Sequence, residues 1–157
     1  MSALRTIVFA LLALSGLRAM AQVPEMNQRI VTYLDEVMGT KVGRGECWDL
    51  AHDALELVGA NWNHQYIFGE EKNPKTDSIY PGDIIQFEKV TLKYEKDNSI
   101  YTETYPHHTA VVYSVTAPGE YRIAHQNTGF GGRKVGVSTL RLADVKSGKM
   151  RFYRPVK

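Results

Sequence analysis

The chain has 157 residues, 43% of them hydrophobic and 10% aromatic, which suits one domain with a core of its own. Charged residues make up 23% and no long apolar run follows the start, which excludes a disordered chain and a multispan membrane protein. Without residues 1–21, which carry Arg5 and Arg18 and no acid, 17 basic residues face 17 acidic ones, not the clustered basic excess of a nucleic-acid binder.

The first predicted element is a leader. Arg5 gives a positive start, residues 7–14 are apolar but too few to span a bilayer, and Ala19-Met20-Ala21 supplies the small residues of a cleavage site. A signal peptide over residues 1–21, cut between Ala21 and Gln22, leaves residues 22–157 as one domain. The expected location is secreted or periplasmic, with no membrane attachment in the mature form.

Next comes an amphipathic helix over residues 26–38, with Met26, Ile30, Tyr33, Leu34 and Val37 at helical spacing and Gly39 to end it. A glycine-rich loop leads to a second helix that starts at Cys47, where Leu50, Ala51, Ala54, Leu55 and Val58 repeat every three or four residues before Gly59. Residues 61–80 have no sustained period and read as a long connection. Pro81-Gly82-Asp83 is a turn that opens a strand at Ile84, Ile85 and Phe87. A hairpin over residues 88–103 breaks at Asp97-Asn98-Ser99, and residues 109–115, 121–125 and 150–153 read as further strands. Helices first and an antiparallel sheet after make an α+β arrangement.

The chain holds one cysteine, so Cys47 forms no internal disulfide. In an oxidising compartment a lone thiol serves as a buried small apolar group, an intermolecular bridge or a nucleophile. At a helix start it meets unsatisfied backbone N–H groups and the positive end of the helix dipole, which favour the thiolate and can hold an oxyanion. A base must come from elsewhere in the fold, and five histidines are available. His52 falls on another face of the helix, and His64 sits in the irregular connection. His107 and His108 open a strand, where alternation sends them to opposite faces, so at most one faces Cys47. His125 on the next strand is placed to orient the imidazole, with Gln126 and Asn127 as rivals. A metal site is not expected, because no Cys-x-x-Cys or His-Glu-x-x-His pair is present. No cofactor is expected either.

Four runs occur in order: Gly45-Glu46-Cys47-Trp48-Asp49-Leu50-Ala51, Pro81-Gly82-Asp83-Ile84-Ile85, His108-Thr109-Ala110-Val111-Val112 and Ile123-Ala124-His125-Gln126-Asn127. Over residues 43–127 this order resembles the CHAP and NlpC-type cysteine peptidases and amidases. The resemblance implies a papain-like fold, with Cys47 as nucleophile, His108 as general base and His125, or else Asn127, as third member. Glu46 and Trp48 flank the nucleophile. The implied substrate is an amide bond in peptidoglycan or another peptide, cut by a monomeric cell-wall enzyme that binds no nucleic acid. Two features depart from the pattern: the hairpin is long, and Glu46 places a carboxylate where it would raise the thiol pKa. The rival from another class is a secreted binding module that keeps the fold without turnover.

Overall fold

The computed structural model describes residues 22–129 and 131–157, so the expected leader lies outside the described residues. Helix α1 (Glu25–Val37) buries Asn27, Ile30 and Leu34, and α2 (Cys47–Val58) buries Leu50, Ala51, Ala54, Leu55 and Val58. These are the i, i+3, i+4 positions of one stripe, which explains why both segments coil against a common surface. Gly59 ends α2 in the left-handed conformation, where a side chain would be strained.

That surface is a sheet of six antiparallel strands: β1 (Glu70–Lys72), β2 (Ile84–Lys96), β3 (Ser99–Ala117), β4 (Glu120–His125), β5 (Gly136–Arg141) and β6 (Val145–Arg154). Their order is β1-β6-β2-β3-β4-β5. The α+β fold expected from the sequence is the fold observed. The hairpin turns at Asp97 and Asn98, whose φ angles of 52° and 59° define a tight turn matched to strand twist.

Alternation along the strands splits the core in two. Ile84, Val111 and Ala124 face the helices with Ile30, Leu34, Leu50 and Leu55, while Ile85, Phe87, Val112, Ile123, Leu140 and Phe152 form a second cluster on the other face. Tyr121 on β4 and Phe152 on β6 lie three strand spacings apart in the sheet order, roughly 14 Å if it were flat. Their ring centroids are 5.5 Å apart, so the sheet curls tightly around the second cluster.

A buried knot ties α1 to the sheet. Asp83, fully buried, accepts from Arg154 Nε (3.0 Å) and Nη2 (2.8 Å), from Asn27 Nδ2 (2.8 Å) and from the Tyr80 N–H (2.9 Å). Gly82 beside it has φ of 86°, and a Cβ there would meet the Asn27 carbonyl at 2.6 Å.

Three expectations are corrected. β1 lies inside the stretch read as a connection: Glu70-Glu71-Lys72 has no strand propensity, and its conformation comes from pairing with β6. β5 was not expected, because its apolar residues are few and follow a glycine-rich turn. The two segments expected around Pro106 are one strand, β3, with an irregularity in β2 at Lys89, whose φ is 52°.

Candidate active site

The start of α2 is set by Asp49. Its carboxylate accepts the N–H groups of Arg44 (2.7 Å) and Glu46 (3.2 Å) and the Arg44 guanidinium (3.0 Å). Burial pushes the Asp49 carboxyl up, but these bonds outweigh it and hold it below the usual range. The loop before the helix is clamped from the far side by Gln126, which donates to Val42 O (2.9 Å) and Glu46 O (2.8 Å) and accepts from the Val42 N–H (3.1 Å). Gln126, a rival orienter in the sequence, is a structural clamp.

Cys47 is the first residue of α2 and is partly exposed. Burial pushes its thiol up; the N–H groups of Thr109 and Trp48 oppose this, and the Glu46 charge adds to the rise. The net direction is upward, so the helix start does not by itself hold a resting thiolate. Glu46 is paired, to Asn127 Nδ2 (2.8 Å) and Arg133 Nη1 (3.3 Å).

The thiol opens into a pocket of about 450 Å³ whose lining includes Glu46, Trp48, Tyr66, His107 and Asn127. Two histidines line it, His64 and His107, and of these His107 is the one on the sheet. Its Nδ1 lies 3.1 Å from Glu88 Oε2, directly across the β2–β3 pairing, and Tyr66 packs edge-on at 4.4 Å between ring centroids. Burial pushes the Glu88 carboxyl up, but the bond and charge of His107 outweigh it and hold it low. Trp48 Nε1 donates to Gln65 O (2.7 Å), fixing the loop that carries Tyr66 over the mouth of the pocket.

His108 is elsewhere. It packs against Tyr105 (4.9 Å) and Phe87 (5.8 Å) in the second cluster, and its Nε2 lies 3.0 Å from His125 Nδ1. His125 Nε2 in turn lies 2.9 Å from Ser138 Oγ. Each histidine is only 5% exposed. Burial first, then the neighbouring imidazoles, lowers His108 to about 3, and burial lowers His125 to about 4 against a raising field from Glu103. The expected triad is therefore divided: Cys47 opens on the helix side, whereas His108 and His125 pair on the other face. Asn127, the alternative third member, stays at the pocket but is bound to Glu46. His52 falls on another face of α2, half-buried against Trp48 and Trp62 and 2.8 Å from Asp53, and His64 lines the pocket rim.

Of the residues around the thiol, Glu88 is not singled out by the sequence, and His107 is weighed there only beside His108. The signal for His107 was parity: Val111 faces the helices, and the residue four before it shares that face. Both faces of β3 are buried over residues 108–112, however, so the apolar pattern of the sequence does not distinguish them.

A thiol heading a helix packed on an antiparallel sheet, with an imidazole in the same pocket, is the arrangement of a papain-like cysteine proteinase fold. The chain belongs to the AIM3/BBC1 cysteine proteinase-fold domain family, whose model matches residues 19–157. It is similar to Altered inheritance of mitochondria protein 3 of Debaryomyces hansenii, with 31% identity over 150 residues, covering 83% of this chain and 16% of that protein. The chain thus spans about one sixth of the length of that relative. Among solved structures it is similar to the crystal structure of Ly7917, at 18% identity and a TM-score of 0.48, covering 81% of this chain and 62% of the other. Ly7917 with the hydrolyzing product of MDP gives the same identity and TM-score, covering 82% and 63%.

The family match supports the cysteine proteinase fold and gives a family other than the CHAP and NlpC-type enzymes the chain resembles in motif order. The secreted or periplasmic location is corrected, since the curated relative is a yeast protein named for inheritance of mitochondria. An apolar start that satisfies the leader pattern does not of itself determine where a protein resides.

Proposed function

We propose that the chain is a cysteine hydrolase of peptide amide bonds, with Cys47 as nucleophile, His107 as general base and Glu88 holding the imidazole. The observation that carries this reading is that Cys47 and His107 open into one pocket while Glu88 accepts from His107 Nδ1 at 3.1 Å. A carboxylate on Nδ1 keeps the proton there and leaves Nε2 as an acceptor, which at rest lies 3.4 Å from the Gln86 side-chain amide and exchanges that contact for the thiol when it acts. The thiol is neutral at rest, so His107 takes its proton as the sulfur attacks the carbonyl carbon. Backbone N–H groups of the first turn of α2 are placed to bind the oxyanion. His107 then gives the proton to the leaving amine, and water releases the acyl group.

The test is cleavage of a peptide library and of peptidoglycan peptides, read by mass spectrometry. Cys47→Ala is expected to abolish cleavage and His107→Ala to slow it by about 100-fold or more. Full loss in His108→Ala with activity kept in His107→Ala would move the base to His108 and overturn the assignment. Identical fragments from wild type and Cys47→Ala would leave a binding module without turnover.

A further inference from the structure

The face of the sheet turned away from the helices carries a second set of reactive side chains, which thiol chemistry at Cys47 leaves unused. Ser138 on β5, His125 on β4 and His108 on β3 form a continuous line: Oγ to Nε2 is 2.9 Å and Nδ1 to Nε2 is 3.0 Å. With the serine hydroxyl donating to His125 Nε2, His125 carries its proton on Nδ1 and gives it to His108 Nε2. Both imidazoles are buried, Tyr105 packs beside them, and His108 fixes the ring of His125. Ser138 itself is partly exposed.

Ser138 opens into a groove of about 570 Å³ between β5 and the tip of the β2–β3 hairpin. Tyr94 and Tyr101 stack along one wall at 5.5 Å, an apolar surface suited to an acyl chain or an aryl group. Glu103 in the same groove is occupied by the hydroxyls of Tyr94 and Tyr105. β5 is the last strand of the sheet, so its outward N–H groups have no strand partner among the described residues. Val137 and Thr139 of this edge line the groove on either side of Ser138, and the edge N–H groups are the donors that an oxyanion on a carbonyl attacked by Ser138 would draw on.

We propose that Ser138 is a second nucleophile, an esterase-type serine that takes an acyl group from small esters, with His125 as base and His108 as the group that positions it. Ser138 Oγ bonds to the carbonyl carbon, its proton passes to His125 Nε2, and the carbonyl electron pair moves to oxygen. Collapse breaks the C–O bond of the ester, and the departing alcohol takes the proton from His125. Water then attacks the acyl-serine by the same route, releasing a carboxylic acid and restoring the hydroxyl. An ester suits this site because its alkoxide leaving group asks less of a weak, buried base than an amine would.

The test uses the Cys47→Ala protein, so that thiol reactivity and the reading of the Cys47 pocket play no part in the outcome. Treatment with a fluorophosphonate probe and peptide mapping is expected to place the adduct on Ser138. His125→Gln, which keeps a hydrogen-bonding group beside Ser138, is expected to slow labelling by about 100-fold. Hydrolysis of p-nitrophenyl acetate is expected to persist in Cys47→Ala and to disappear when Ser138→Ala is added. An unmodified Ser138, or equal labelling in His125→Gln, would overturn the proposal.

Discussion

Acidification is the perturbation that tests the outer-face histidine pair most directly. His108 and His125 are neutral in the folded protein, lowered to about 3 and about 4, whereas in the unfolded chain they titrate near the ordinary value of about 6.5. Below that value the unfolded state binds more protons than the folded one, so stability is complete above pH 6.5 and falls as pH drops toward the folded pKa values. Each imidazole loses about 1.4 kcal/mol per pH unit. At pH 5 this amounts to about 2 kcal/mol for each histidine and about 4 kcal/mol for the pair, before most carboxylates titrate. With a urea slope near 2 kcal/mol/M for a domain of this size, the unfolding midpoint should fall by about 2 M between pH 7 and pH 5. Urea titrations followed by tryptophan fluorescence measure this. In His125→Gln the drop should be about half as large. A wild-type midpoint that stays constant from pH 7 to pH 5, or an unchanged drop in the variant, would refute the reasoning.

Asp83→Ala removes the partner of the largely covered Arg154 guanidinium, which keeps its bond to Ser78 O, and about 3 kcal/mol of stability should go with it, read as a lower urea midpoint at pH 7. Gly82→Ala forces a side chain into a left-handed backbone against the Asn27 carbonyl, with an expected loss of about 2 kcal/mol in the same assay. Alkylation of Cys47 by iodoacetamide should show a pH midpoint above the ordinary thiol value of about 8.5, shifted down in Glu46→Gln; a midpoint below 7 in the wild type would contradict the burial argument.

Much of the architecture was legible in the residues. The two helices announce themselves through periodic apolar stripes and terminal glycines, and Asp97-Asn98 marks the hairpin turn. β1 and β5 were not visible, because their strand state depends on neighbours rather than on their own composition. For the site, Cys47 at a helix start and a histidine leading β3 were both readable. Which of the adjacent histidines meets the thiol was not, since one step of register exchanges the faces and the apolar pattern of β3 is continuous through both. Glu88 carried no signal, because its partner lies 19 residues away across a hairpin and is defined only by pairing. The outer-face line of Ser138, His125 and His108 was half visible, since the motif resemblance paired the two histidines but tied them to the thiol.

Three consecutive residues at the end of β4 serve three different places. His125 belongs to the outer-face line, Gln126 grips the loop that launches α2, and Asn127 holds Glu46 at the mouth of the thiol pocket. The end of this strand is therefore shared by both faces of the sheet, so a substitution at any one of the three bears on its neighbours' sites. The same three residues of backbone thus carry a contact to the outer-face line, to the loop before α2 and to the mouth of the thiol pocket.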